Sequence, residues 1–168
     1  MRAFMMTTGL VVWVTAATAQ AQTTRQLPTL ELSGGYVGFG DEGLIHHTLA
    51  GAGLYWTLLP RLVVGPQIAY LIGPDADRDV VALGDVAVLL RRPRGAGSVV
   101  PFVAGGIGMM SHRDLVAGVT ASSESLAFSF GGGVRTWVND RVYVATEFRM
   151  GWEPHVRLTG QVGVALGR

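Results

Sequence analysis

Three carboxylates and three guanidiniums stand in stretches of this 168-residue sequence that are otherwise mostly apolar or small. They are Glu31, Asp85 and Glu147, and Arg135, Arg149 and Arg157; Gln67 and Gln161 share the same kind of setting. Two carboxylates flanking a sugar bond can hydrolyse it, and residue type alone would let Glu147 work with Glu31 or Asp85. The simpler chemistry is mutual neutralisation, three anions against three cations. His46, His47, His112 and His155 offer imidazole, which with the carboxylates of Asp41, Asp75, Asp77 and Asp114 is a ligand set for zinc or copper. No fixed ligand spacing links them, so they read as solvated loop histidines. A Ser–His–acid hydrolase would need Ser111, Ser122, Ser123 or Ser125 beside a histidine. Ser111 and His112 are adjacent, but in no recognised nucleophile motif. The runs Gly131-Gly132-Gly133 and Gly105-Gly106-Ile107-Gly108 lack the lysine and the following helix of a phosphate-binding loop. Cysteine is absent, which excludes disulfides and thiolate sites. The expectation is no catalytic residue, no cofactor and no metal.

The elements that must hold the charged groups show a period of two. Val142, Val144, Thr146, Phe148, Met150 and Trp152 form one face of a run, and Tyr143, Ala145, Glu147, Arg149 and Gly151 the other. Val80 to Leu90 and Val156 to Leu166 alternate in the same way, with Asp85 and Arg157 on their less apolar parity. Such alternation with β-branched and aromatic residues marks strands. Eight are predicted, at 29–39, 46–58, 62–72, 80–91, 99–110, 125–138, 141–152 and 155–166; the fifth shows no clean parity. Each has about 11–14 residues, longer than the 5–6 usual in globular sheets and near the 9–11 of a tilted strand crossing a bilayer. The connections alternate in charge. Those at 40–45, 73–79, 111–124 and 153–154 hold most of the acids, whereas Arg61, Arg92, Arg94 and Arg141 lie in or beside the others.

Composition agrees with a membrane-facing sheet. Hydrophobic residues make up 49% of the chain and charged residues only 15%, so a disordered chain is excluded. The best candidate for a spanning helix, Leu54 to Ile72, is broken by Pro60, Arg61 and Pro66. Arg2, the apolar stretch around Leu10 to Val14, and Ala17-Thr18-Ala19 with Ala19-Gln20-Ala21 have the form of a secretory signal peptide. Residues 1–21 are expected to be removed, leaving 22–168 as one barrel domain. All thirteen basic residues are arginine; without Arg2 there remain twelve against twelve acids, a balance that points away from nucleic acid.

A sheet in lipid must close on itself, because no water is there to satisfy an open edge. The apolar parity would then face lipid, and Glu31, Gln67, Asp85, Arg135, Glu147, Arg149, Arg157 and Gln161 would point inward as a hydrogen-bonded network. Eight strands leave room only for side chains, so no wide pore is expected. Inward glycines (Gly51, Gly53, Gly65, Gly105, Gly131, Gly133, Gly151 and Gly163) would make space for long neighbours. Tyr36, Phe39, Tyr70 and Trp152 are expected at the outer rim, and Trp56, Trp137 and Tyr143 at the periplasmic one.

The stretch Phe130-Gly131-Gly132-Gly133-Val134-Arg135, with Glu147-Phe148-Arg149 and Gly151-Trp152-Glu153-Pro154, resembles the second half of small outer-membrane β-barrel domains, OmpA-like in their barrel. Pro101 to Gly108 is similar to that family's fifth-strand pattern. The resemblance covers most of the chain beyond residue 21 and implies an all-β fold, an eight-stranded antiparallel up-and-down transmembrane barrel without a shared activity. Members often end on an aromatic residue read by the barrel insertion machinery; this chain departs from them, ending Leu166-Gly167-Arg168. The expected protein is a monomer of the bacterial outer membrane with a structural or surface-interaction role. Its partners would be the lipid bilayer, the insertion machinery and an unknown surface ligand. Two alternatives stand beside it: a periplasmic or secreted lipid-binding β-barrel, and a barrel enzyme acting on outer-membrane lipid.

Overall fold

The computed structural model describes residues 28–40, 45–74, 77–116, 119–152 and 155–166. Eight strands run in chain order: β1 (Thr29–Phe39), β2 (Ile45–Leu59), β3 (Leu62–Ile72), β4 (Arg78–Leu89), β5 (Val99–Val116), β6 (Val119–Trp137), β7 (Val142–Gly151) and β8 (His155–Ala165). Each pairs antiparallel with its chain neighbours, and β1 pairs with β8 to close the barrel. No described helix is long and apolar enough to cross a membrane.

The alternation in sequence becomes an inside and an outside. Leu32, Ile68, Val86, Ile107, Phe130, Phe148 and Leu158 are exposed on seven different strands, while Val37, Leu49, Leu71, Leu83, Phe102 and Ala145 are buried. A water-soluble exterior rarely carries so continuous an apolar band. The interior is layered. At the end near the termini, Tyr55, Val63, Leu89, Val100, Phe102 and Tyr143 pack together. Towards the other end, Val37, Leu49 and Leu71 form one cluster and Leu83, Met110 and Ala127 another, with Phe39 and Val81 packed against both. Asp85, Glu147, Arg149 and Arg157 lie between these apolar layers, while Glu31 and Arg135 sit among Phe102 and Tyr143 of the first.

Several expectations are corrected. The fifth strand does have a parity: Val100, Phe102 and Ala104 are buried, while Pro101 and Val103 are exposed. Gly105 therefore faces outward. Gly106 faces inward, where an added Cβ would meet the carboxylate of Asp85. The stretch 111–124 is no irregular loop but the outer part of a hairpin, paired from Ser111↔Glu124 to Val116↔Val119. Lipid imposes apolar alternation only within the bilayer, so a strand continuing beyond it can be polar and read as loop. Phe39, Trp137 and Tyr143 point into the barrel rather than to the rims; Tyr36, Trp56, Tyr70 and Trp152 are exposed.

The connections near the termini are locally specified. Asn139 Oδ1 accepts the amides of Arg141 and Val142 at 2.8 and 2.9 Å, a side-chain turn that joins β6 to β7. Gly95 and Gly97 sit at φ +96° and +76°, where an L side chain is strained. They let the β4–β5 connection fold back so that the Gly97 amide donates to Trp137.

Candidate functional site

The mid-barrel layer is built by inward positions of five strands, β2, β3, β4, β7 and β8. Arg149 on β7 is its centre. Its Nη1 and Nη2 donate to the two oxygens of Asp85 at 2.8 Å each, a fork-on-fork pair. Its Nε and Nη2 also donate to Glu147 at 2.7 and 2.9 Å. Arg157 on β8 donates to Glu147 at 3.0 Å and to Gln67 Oε1 at 3.3 and 3.4 Å. Tyr55 donates to Asp85 at 3.1 Å. A second group lies nearer the termini, where Tyr143 donates to Glu31 and Arg135 reaches the same carboxylate at 3.4 Å. The Arg135 guanidinium is also stacked between rings, 4.8 Å from Phe102 and 4.6 Å from Tyr143.

All eight residues singled out in the sequence are buried. Seven share hydrogen bonds in these two groups; Gln161 is brought into the barrel, but its Oε1 has no hydrogen-bond partner. Sequence reasoning missed Tyr55, Phe102 and the inward aim of Tyr143. The signal was present for Tyr143, which has the same parity as Glu147 and Arg149. The glycines of β6 make room for the backbone of β7 and, at Gly133, for the Phe102 ring rather than for long side chains. An added Cβ on Gly133 would meet the carbonyl of Thr146 and lie 2.9 Å from the Phe102 ring, and one on Gly131 would meet the carbonyl of Phe148. At this corner the backbones of β6 and β7 approach too closely for a side chain.

Ion pairs of this kind satisfy the rule that buried charge must be paired and hydrogen-bonded. A carboxylate held by two guanidinium contacts has its lone pairs committed, which suits neither a nucleophile nor a proton shuttle.

The histidines are placed unevenly. His46 is exposed and stacks near Tyr36, and His155 Nδ1 donates to the carbonyl of Trp152, 2.9 Å away. His47 is buried, contrary to the solvated position expected, and lies 2.8 Å from Asp77; His112 lies 2.5 Å from Asp79. Asp41 and Asp75 fall outside the described residues.

Three solved structures share this architecture. Neisserial surface protein A (NspA) aligns with a TM-score of 0.68 at 10% identity, covering 83% of this chain and 96% of that one. The N-terminal β-barrel domain of Pseudomonas aeruginosa OprF aligns at 0.63 with 12% identity, over 81% and 96%. Ail, the attachment invasion locus protein of Yersinia pestis, in complex with the heparin analogue sucrose octasulfate, aligns at 0.53 with 10% identity, over 83% and 97%. The chain has the fold of the small outer-membrane β-barrels. No family model matches the sequence, and no curated protein matches it. At these identities the likeness is one of fold, so function must be argued from the barrel's own surfaces and interior.

Proposed function

We propose that this chain is an exported protein of the bacterial outer membrane, in which residues 1–21 are a cleaved signal peptide and 22–168 a monomeric barrel. Its role is structural or surface-interactive, with an interior filled by side chains, no wide pore and no catalytic activity. One observation carries the reading: the apolar parity faces out on every strand, while the ionised residues are buried and paired inside. A periplasmic lipid carrier would need the reverse, an apolar cavity and a charged exterior. The apolar cavity beside Arg157, lined by Val37, Leu49, Leu83 and Met110, holds only ≈ 20 Å³, about the space of one water. A barrel lipid enzyme is disfavoured by the commitment of each central carboxylate to arginine or tyrosine.

The surface for interaction is the β5–β6 hairpin. The pairing of β6 with β7 begins only at Ser129↔Gly151, so β6 from Val119 onward extends past its neighbour. Such an edge offers backbone donors and acceptors to a partner strand.

Cell fractionation followed by SDS electrophoresis of unheated and heated samples tests the proposal. Outer-membrane recovery with a heat-dependent mobility shift is expected. Recovery in the soluble periplasm without a shift would overturn it.

A further inference from the structure

A second polar cluster lies at the barrel end opposite the termini, separate from the mid-barrel layer. It is drawn from three strands and a turn: His47 on β2, Asp79 on β4, His112 on β5, and Asp77 in the β3–β4 connection. His47 Nε2 is 2.8 Å from Asp77 Oδ2 and 3.6 Å from Asp79 Oδ2. His112 Nδ1 is 2.5 Å from Asp79 Oδ1 and 3.6 Å from Asp77 Oδ1. One ligand atom from each of His47, Asp77 and Asp79 lies within 4.8 Å of the others.

The chain is shaped around this cluster. β3 ends at Ile72, and the next residue, Gly73, is where the His47 and Asp77 side chains converge. A Cβ there would meet His47 Nε2 and lie 2.7 Å from Asp77 Oδ2. The turn itself is held by backbone bonds from the Gly73 amide to Asp77 and from the Asp77 amide to Pro74, and by Arg78, whose Nη1 donates to the carbonyls of Gly73 and Asp77. Arg78 is thus turned to backbone oxygens rather than to the two carboxylates. Asp79 is 1% exposed and His47 3%, and Asp77 Oδ1 is buried without a hydrogen bond. Two carboxylates held this close repel each other unless a proton or a cation is shared between them.

We propose that His47, Asp77, Asp79 and His112 form a site for a divalent transition metal of the zinc class. Two imidazoles and two carboxylates are a borderline N/O donor set, unlike the all-oxygen sets of calcium or magnesium and the thiolates of softer ions. A tetrahedral ion with bonds of about 2.0–2.1 Å holds its donors roughly 3.3 Å apart. The four His–Asp separations, 2.5 to 3.6 Å, bracket that spacing; His47, Asp77 and Asp79 already converge, and His112, which meets the other oxygen of each carboxylate, must turn its side chain to complete the set. Entry is from the loop end, where the His112 side chain is 42% exposed and that of Asp77 18%. A site closed by four protein ligands is structural. It fastens the β3–β4 turn to β2 and β5, and the ion displaces the protons that the imidazoles share with the carboxylates.

The test is zinc titration by calorimetry of the tag-free full chain folded in detergent, with cobalt absorption as a second readout of the ligand set. The expected result is one zinc per chain and an intense tetrahedral cobalt spectrum. His47→Gln and His112→Gln should each weaken zinc binding at least tenfold, while His46→Gln binds as the parent does. His112 is partly exposed, so its variant keeps the barrel even if His47→Gln fails to fold; heat-dependent mobility checks both. Absence of saturable one-to-one binding by the parent, or parent-like affinity in His112→Gln, would overturn the site.

Discussion

Arg149 carries more of the interior than any neighbouring side chain, because four of its hydrogen bonds end on two buried carboxylates. Arg149→Met keeps the apolar stem but leaves Asp85 with only Tyr55 and Glu147 with only Arg157. Breaking a buried pair in this way costs about 3–5 kcal/mol, to be read as a lower urea midpoint of the folded barrel in detergent micelles. Arg94→Ala, in an exposed turn, should change stability by no more than about 0.5 kcal/mol. Equal midpoints for the two variants would remove Arg149 from any stabilising network. Which residues point inward was readable from parity alone, and that is how the eight polar positions could be named from sequence. Which of them touch was not, because partners such as Glu31 and Arg135 lie 104 residues apart and meet only once strand register is fixed. His47, His112 and Asp77 stand among the candidate ligands in the sequence, but their convergence, and the part of Asp79, could not be read there for the same reason. The four residues are spread over 66 positions, and the glycine that lets His47 and Asp77 meet lies in the β3–β4 connection, outside any strand whose alternation could be read.

Strands inside the bilayer were legible because lipid enforces alternation. β1 and β3 have the bounds expected from the sequence, and β8 differs by one residue. The β5–β6 hairpin was not, since its outer third has no bilayer to answer to and its Ser-rich sequence resembles a loop. Its separation from the barrel proper leads to a prediction. Replacing residues 114–121 by Asn-Gly, a pair suited to a two-residue hairpin turn, removes ladder pairs beyond Arg78↔Arg113, where β4 pairing ends. The shortened chain should retain the heat-dependent mobility shift of the parent. Loss of that shift would mean that the projecting hairpin is needed for the barrel to form. Gly133→Val should have the opposite outcome, because its new side chain would be driven into the Thr146 carbonyl and the Phe102 ring. That variant is expected to migrate as unfolded protein without heating.

At the scale of the whole molecule, one division of labour governs the barrel: lipid-facing side chains hold it in the membrane, and inward side chains decide whether anything passes. From the end near the termini, a vestibule of about 480 Å³ reaches inward as far as Tyr55, Arg135 and Tyr143. There the Glu31 group and the Phe102 ring close over it, followed by the Arg149 layer and then the apolar clusters of Val37, Leu83 and Met110. A hydrated solute would have to separate at least two buried ion pairs in succession, each in a low dielectric where unpaired charge costs several kcal/mol. Eight strands leave no spare width for a bypass. Reconstituted into liposomes, the protein should therefore cause no swelling with small sugars above that of protein-free vesicles. In planar bilayers it should show no sustained porin-sized conductance. Steady sugar permeation by a preparation that keeps its heat-dependent shift would mean that the charge layer opens in the membrane, and that the interior is a gate rather than a plug.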